Sequence, residues 1–375
     1  MKNSAHLLLA SLITCILFKL TGCNSDSNPV ESAPPLEPET GITFSHTNLE
    51  GVTFNHFLKS DEGLYAATNA GVYQLKDEQW VNLTDFEQWE VFDLEAVGSG
   101  HYLASVKQNS DFYLVESTDS GVSWEQIESN FGQISGDSED ITIESFSLDE
   151  KIQALAYDQE TGLLYGTGLN VLAVSGDYGR TWSTLTGEWQ GFAKGYAALT
   201  IDFNSSKIWF GGQNAVEQSR LLSYDLNLLE AKTYNSMTDI TGEPGTVKNI
   251  RFAPNNPDIM YASGEPGIMS SLDGGDTWEE FYFNENSRFY FGLLIDINQS
   301  ETMYTSGWNK VFSEPQPFYL ERTTNGGATW EKFEYVDEAD IFGGVWSMYA
   351  EYGLEESILY FGLYKGGVMK VTVKN

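Results

Sequence analysis

Carboxylates are the side chains of this sequence with the clearest potential for chemistry. The chain of 375 residues holds 54 Asp and Glu residues against 20 Lys and Arg residues, and hydrolysis of a glycoside needs two carboxyl groups held at a defined separation. In so acidic a chain, pairs such as Asp93/Glu95 and Asp202/Asp296 arise by chance and carry little information. The histidines show no metal-ligand or triad spacing, and no Gly-x-Ser-x-Gly elbow is present. The sequence favours a non-enzyme, with a glycoside hydrolase as the alternative.

Two acidic stretches are the candidates for a metal site. One runs from Asp137 to Glu150 and the other from Asp337 to Asp340, and Ca²⁺ prefers several carboxylate and carbonyl oxygens. Neither stretch has the D-x-[DN]-x-[DN]-G spacing of a calcium-binding loop. We therefore predict solvated acidic loops without a metal or other cofactor, and keep Ca²⁺ as the alternative.

The formal net charge of −34 limits the partners of the chain. Because no basic stripe is available to neutralise phosphates, nucleic acid is excluded as a ligand and anionic lipid head groups are disfavoured. We interpret the charge as that of a soluble exported protein, with an acidic partner-binding surface as the alternative.

One eight-residue pattern, [S/T]-x-[D/N]-x-G-x-[S/T]-W, occurs four times. It marks the structural elements that must position any functional side chains of the chain. In a hairpin, the short polar side chains can bond backbone N–H groups, glycine supplies a positive φ angle, and tryptophan anchors the turn in the sheet. We predict this structural role for Ser117, Asp119, Gly121, Trp124, Ser175, Asp177, Gly179, Trp182, Ser271, Asp273, Gly275, Trp278, Thr323, Asn325, Gly327 and Trp330.

The pattern resembles the Asp-box, or BNR repeat, of sialidases, sortilin-type receptors, xyloglucanases and photosystem-assembly propellers, which implies a β-propeller. Sialidases clamp a carboxylate with three arginines, the first in an Arg-Ile/Leu-Pro motif, and this chain lacks that triplet. Xyloglucanases pair two propellers around a cleft, whereas this chain has length for one. The resemblance therefore favours the relatives that bind polypeptides.

The spacing of the repeats predicts the number of blades. The first residues of successive copies lie 58, 96 and 52 residues apart, and the middle gap holds a decayed copy at residues 223–227. A period near 48 with several short strands in each unit indicates a propeller. Residues 41–375 then form seven four-stranded antiparallel blades in an all-β fold. The last unit lacks one strand, which we expect residues 41–47 to supply as its outermost strand, so that the ring closes.

Residues 1–22 are predicted to be a signal peptide. They hold an apolar run over residues 7–18, too short for a membrane span, and lead into a Leu-Thr-Gly-Cys tetrad that ends at Cys23. The tetrad resembles the lipobox of bacterial lipoproteins, which implies cleavage before Cys23 and a lipid on its thiol. Asn24, in place of aspartate, points to the outer membrane, with the domain facing the periplasm or the cell surface. Residues 23–40, rich in proline, serine and acids, are predicted to be a flexible linker.

Ligands of propellers generally bind at one face of the central channel, near the loops that lead into the innermost strands. Flat aromatic side chains there suit stacking on sugars or burial in a protein interface, and packing between blades is the alternative. Rare positive charges on an acidic body also favour an anionic pocket. The predicted ligand face consists of Trp89, Trp189, Phe192, Arg251, Arg288, Tyr290, Trp308 and Trp346.

These observations predict a non-catalytic, monomeric lipoprotein of the bacterial cell envelope. Its propeller would act as a binding or assembly scaffold for a protein or glycan partner. A carbohydrate-binding propeller, or a glycoside hydrolase similar to sialidases or xyloglucanases, is the alternative.

Overall fold

The computed structural model describes residues 41–83, 89–131, 151–187, 194–284, 288–336 and 340–375. The predicted signal peptide and linker, Cys23, Trp189, Phe192 and most of the two acidic stretches lie outside these residues. The described part forms seven four-stranded antiparallel sheets arranged as a seven-bladed β-propeller. This architecture confirms the predicted fold class.

The strands follow one another around the ring, four to a blade. The first strand of the chain is β1 (Ile42–Thr47), which belongs to the last blade. Blades 1 to 3 are formed by β2 (Phe54–Ser60), β3 (Gly63–Thr68), β4 (Gly71–Lys76) and β5 (Gln79–Asn82); β6 (Trp89–Gly98), β7 (His101–Gln108), β8 (Asp111–Ser117) and β9 (Glu125–Ile127); and β10 (Ala154–Asp158), β11 (Leu163–Thr167), β12 (Val171–Ser175) and β13 (Ser183–Gly187).

The remaining strands complete the ring. Blades 4 to 7 are formed by β14 (Gly195–Asp202), β15 (Lys207–Gln213), β16 (Ser219–Asp225) and β17 (Glu230–Tyr234); β18 (Thr246–Ala253), β19 (Asn256–Glu265), β20 (Ile268–Ser271) and β21 (Glu279–Tyr282); β22 (Leu294–Ile295), β23 (Met303–Thr305), β24 (Tyr319–Thr323) and β25 (Glu331–Glu334); and β26 (Val345–Tyr352), β27 (Glu356–Leu363) and β28 (Gly367–Lys374) with β1.

The last blade is closed by the N-terminal strand, as the sequence predicts. Strand β1 pairs antiparallel with β28, from Ile42 opposite Val373 to Thr47 opposite Val368. At the centre, the innermost strand of the first blade, β2, contacts both β6 of the second blade and β26 of the last. The ring is therefore continuous, and β1 covers an edge that would otherwise be free to pair with another chain.

All four eight-residue turns share two hydrogen bonds from backbone N–H groups to side chains, and the first three also share one from the tryptophan Nε1, which Trp330 of the fourth turn does not form. In the turn of blade 5, the N–H of Gly275 donates to Ser271 Oγ at 2.9 Å, and the N–H of Thr277 donates to Asp273 Oδ1 at 2.9 Å. Trp278 Nε1 donates to the Gly275 carbonyl at 2.9 Å. The indole of Trp278 is buried, whereas that of Trp330, in the fourth copy, is half-buried and stacks on Tyr282.

The glycine at the fifth position of each turn lies against the preceding blade. Gly275 of blade 5 has a φ angle of +88°, and a Cβ there would lie 2.2 Å from the indole of Trp209 in blade 4. At the equivalent glycines the side chains in the way are Leu83 for Gly121, Leu114 for Gly179 and Phe281 for Gly327. The glycine is therefore needed both for its backbone conformation and for the close approach of two blades.

One short helix interrupts the β pattern between blades 4 and 5. Helix α1 (Met237–Thr241) follows Ser236, whose N–H donates to Asp239 Oδ2 at 2.8 Å, and it ends at Gly242 with a φ angle of +75°. Met237 is its buried residue and packs in the core with Trp209 and Trp278. No helix in the described ranges has the length and apolar character needed to span a membrane.

Candidate functional site

The innermost strands surround a cavity of about 440 Å³ on the propeller axis. Its wall includes Asn55 and His56 from β2, Asp93 from β6, Leu155 from β10 and Ser347 from β26. A volume of this size falls in the range of roughly 300–1,000 Å³ that is typical of sites for small ligands. The cavity is open to a peptide segment or a few sugar units rather than to a folded domain.

The structure divides the described residues of the predicted ligand face into three groups. Trp89 and Tyr290 are buried in the cores between blades, which is the packing alternative. Trp346 and Arg251 line the cavity, and Trp308 packs beneath with its ring centroid 6.0 Å from that of Trp346. Arg288 lies exposed on a loop and pairs with Glu265 at 3.4 Å.

Positive side chains converge on this cavity. Lys151, Lys248 and Arg251 line it, and the charges of Lys194 and Lys310 act on Lys248 as well. We call these five residues the channel cations. Protein surrounds Arg251 within the ring, but its side chain remains accessible to solvent from the channel. Burial among these groups lowers the pKa of its guanidinium. Arg251 was predicted from the sequence, whereas Lys151, Lys248 and Lys310 were not, because no local motif marks these three lysines.

The environment shifts the proton affinity of two of these lysines. Burial lowers the pKa of Lys248 to about 7, and the neighbouring charges of Lys151, Lys310 and Lys194 act in the same direction. Burial also lowers the pKa of Lys151 to about 8, and the carboxylates of Glu90 and Asp93 oppose that shift. Both ammonium groups therefore lose their proton more readily than an ordinary lysine, because burial removes the charged form from water.

Aromatic rings support the ammonium groups. Lys248 Nζ lies 5.1 Å from the ring centroid of Trp346 and 5.5 Å from that of Phe291. Lys310 Nζ lies 4.5 Å from the Phe289 ring, and Lys151 Nζ lies 3.6 Å from the ring of Phe92. These distances are those of cation–π contacts, which attract a positive charge to the face of the ring.

A smaller acidic group lies near Lys151, and Asp93 belongs to the same cavity wall. Asp93 Oδ1 is 3.2 Å from His56 Nδ1, and Asp93 Oδ2 accepts a hydrogen bond from the Leu155 N–H at 2.6 Å. Burial raises the pKa of Glu95 well above its usual range, and the charge of Asp93 adds to that shift. The pair Asp93/Glu95 is therefore electrostatically coupled.

The other carboxylate pair considered from the sequence, Asp202/Asp296, forms hydrogen bonds within turns. Asp202 Oδ1 accepts from the Asn204 N–H at 3.0 Å in blade 4, and Asp296 Oδ1 accepts from the Asn298 N–H at 2.8 Å in blade 6. Each carboxylate is thus used within its own blade. Across the described ranges, no group of three or more His, Cys, Asp or Glu side chains is arranged to hold a metal ion.

A second cavity, of about 800 Å³, lies between blades 2 and 3. Among the described residues of its wall, Arg180 is the one basic side chain, and it pairs with Glu116 at 2.6 Å. Its described wall therefore offers no unpaired positive charge, in contrast to that of the central cavity.

No family model matches the chain, and no curated protein matches it. Solved structures do match its fold. A GH74 enzyme from Niastella koreensis is 14% identical with a TM-score of 0.59, and the match covers 87% of this chain and 53% of the enzyme. The structure of YCF48 bound to D1 peptide also matches. YCF48 is 15% identical to this chain with a TM-score of 0.57, and the match covers 92% of this chain and 100% of YCF48.

A third match is the extracellular domain of BT4673 from B. thetaiotaomicron, which is 11% identical with a TM-score of 0.62, over 87% of this chain and 39% of that one. The chain thus spans about half of the GH74 enzyme and the whole of YCF48. These likenesses establish a propeller fold that known proteins use both for glycoside hydrolysis and for binding.

Proposed function

We propose that this chain is a lipid-anchored protein of the bacterial cell envelope whose propeller binds a polypeptide partner and does not catalyse a reaction. The observation that carries the proposal is the central cavity, where positive side chains and aromatic rings converge on one opening. Such groups anchor partners in protein interfaces, where aromatic residues and arginine contribute much of the binding energy. The likeness to YCF48 bound to D1 peptide is compatible with the same use.

The anchor is proposed from the sequence. Cleavage before Cys23 and lipidation of its thiol would attach the protein to the outer membrane, and residues 23–40 would hold the propeller away from the bilayer. Metabolic labelling with a radioactive fatty acid should mark the wild-type chain and leave Cys23→Ser unlabelled. Label retained by the variant would contradict the lipoprotein assignment.

Purification of the tagged, full-length protein from detergent-solubilised envelope tests the binding function. We expect a defined protein to co-purify at a constant ratio and to be absent from a purification of an unrelated tagged lipoprotein. Recovery of the chain alone, across several detergents and after mild cross-linking, would count against a scaffold role.

A glycoside hydrolase is the second candidate, and one observation favours it. Glu95 has a raised pKa beside Asp93, which is the environment expected of a general acid next to a second carboxylate. The likeness to GH74 enzymes is compatible with this function. A panel of chromogenic glycosides tests it: turnover that Glu95→Gln abolishes would establish the enzyme, and no turnover on any substrate would leave the binding function.

A further inference from the structure

The channel cations differ from several basic residues of the outer surface, which form ion pairs. At the outer surface, Lys232 pairs with Asp276 at 2.8 Å and Arg322 pairs with Glu331 at 2.7 Å. Within the described ranges, Lys151, Lys248 and Arg251 form no ion pair within 4.0 Å, although protein encloses them. Among the described residues, these three charges of the channel wall are therefore unpaired, although stability favours pairing for a charge that is held away from water.

The nearby carboxylates are already engaged. Asp93 accepts hydrogen bonds from backbone N–H groups and lies against His56, and Glu265 lies against Arg288. Glu90 acts on Lys151, and Glu217 acts on Lys310, through their charges without forming an ion pair with them. Among the described residues, no carboxylate therefore lies within ion-pair distance of Lys151, Lys248 or Arg251, in a chain that holds 54 acidic residues.

The aromatic rings indicate which kind of ligand this charge serves. A sugar stacks on the open face of a ring, and one face each of Phe92, Phe289 and Trp346 is approached by Lys151, Lys310 and Lys248 respectively. The rings therefore hold ammonium groups in place, and such fixed donors favour recognition of negative charge. Ammonium and guanidinium groups form their strongest hydrogen bonds with carboxylates and phosphates.

We propose that the central channel is a binding site for a carboxylate-rich polypeptide segment, which inserts between Lys151, Lys248 and Arg251. This inference rests on the proposed binding function and names the chemistry of the partner. The cavity of about 440 Å³ admits a short extended segment or a chain terminus. Glutamate or aspartate side chains, or a terminal carboxylate, would supply the counter-charge that no carboxylate of the described residues supplies within 4.0 Å.

Titration with a hexaglutamate peptide tests the site, with the full-length protein in detergent and a hexaglutamine peptide as the uncharged control. We expect hexaglutamate to bind and hexaglutamine not to bind. The double variant Lys151→Gln, Lys248→Gln should weaken binding of hexaglutamate at least tenfold. The matched control is Lys332→Gln, because that lysine also lies over a ring, 3.5 Å from Tyr319, but at the outer edge of blade 6; it should change binding less than twofold.

Removal of unpaired enclosed charges should leave the fold intact, and the thermal unfolding of each variant checks this. If the double variant does not fold, Lys248→Met alone replaces it, since methionine keeps most of the aliphatic length. Hexaglutamate binding that survives these substitutions would overturn the proposal. Binding of trigalacturonate without binding of hexaglutamate would also overturn it, in favour of an acidic glycan.

The same variants separate this inference from the proposed function. If a protein co-purifies with the wild-type chain and equally well with the double variant, the binding function holds and the channel site is refuted. If no protein co-purifies with the wild type, the binding function fails whatever the peptide titration shows. Loss of the partner from the double variant, with retention by Lys332→Gln, supports both.

Discussion

Replacing Gly275 with alanine should destabilise the propeller more than replacing its neighbour Gly274. Both glycines have positive φ angles, +88° and +70° respectively, so a Cβ at either position costs about 1–2 kcal/mol of backbone strain. At Gly275 the new Cβ would lie 2.2 Å from one carbon of the Trp209 indole and 2.5 Å from another. At Gly274 the nearest atom is an Asp258 carboxylate oxygen at 3.7 Å, an ordinary contact.

The difference between the two variants isolates the contact between blades. Forcing an extra methyl group into a packed core typically costs about 1–3 kcal/mol, and Trp209 is fully buried and cannot move freely. We therefore expect Gly274→Ala to lose about 1–2 kcal/mol of unfolding free energy and Gly275→Ala to lose about 2–5 kcal/mol. Urea denaturation followed by tryptophan fluorescence measures both, provided that the m-value is unchanged.

Equal losses in the two variants would refute the reasoning, because they would mean that Gly275 is required only for its φ angle. A double-mutant cycle with Trp209→Leu sharpens the test. If the clash is real, Gly275→Ala should cost less in the Trp209→Leu background, with a coupling of about 1 kcal/mol or more. A coupling near zero would place the strain elsewhere.

Further predictions follow from the turns, the ring closure and the channel. Trp278→Ala should cost about 3–5 kcal/mol in urea denaturation because the indole is buried, and Trp330→Ala should cost less because its indole is half-buried; the reverse order would contradict the anchoring role. The pKa of Asp273 is lowered to about 2, first by the Thr277 hydroxyl. A carboxyl group whose pKa is lowered on folding stabilises the fold at pH values above its unfolded pKa of about 4, and this stabilisation is lost as the pH falls. Asp273→Asn should therefore reduce the loss of unfolding free energy between pH 4 and pH 2. Deletion of residues 41–48 should expose the edge of the last blade and cause aggregation, visible by light scattering; an unaffected monomer would exclude that role for the strand. Binding of hexaglutamate should weaken as pH rises from 6 to 9 because Lys248, with a pKa of about 7, loses its charge; a flat pH profile by titration calorimetry would exclude it from the site.

The fold could be predicted from the sequence because its signals are local and repeated. Each eight-residue turn uses the same short-range contacts, such as Ser271 Oγ with the Gly275 N–H, so each copy marks one hairpin independently of the rest of the chain. The closure by β1 followed from counting strands, since one strand was left over at the N-terminus and one was missing at the C-terminus. Helix α1 was not predicted, because five residues give no helical period to detect.

The channel could be predicted only in part, because its residues come together through the closed ring. Lys151, Lys248 and Lys310 lie on different blades or blade connections, far apart in sequence, and each is an ordinary lysine in its local context. Trp89 and Tyr290 were placed on the ligand face and lie instead in cores between blades. At the start of a strand, one residue of register decides whether a side chain points to the channel or into the sheet packing.

The distribution of charge gives the proposed channel site a basis for selectivity. An acidic segment that approaches this protein meets a surface of its own sign, since the net charge is −34, and like charges disfavour contact there. The unpaired groups of Lys151, Lys248 and Arg251 offer it the opposite potential inside the channel. The low dielectric constant of the channel wall strengthens that attraction. At the outer surface, salt screens the repulsion between charges that are more than about 10 Å apart. Raising the salt concentration should therefore reduce the outer repulsion and the attraction in the channel unequally, and an acidic segment that reaches the channel would be held by charges that no carboxylate of the described residues pairs within 4.0 Å.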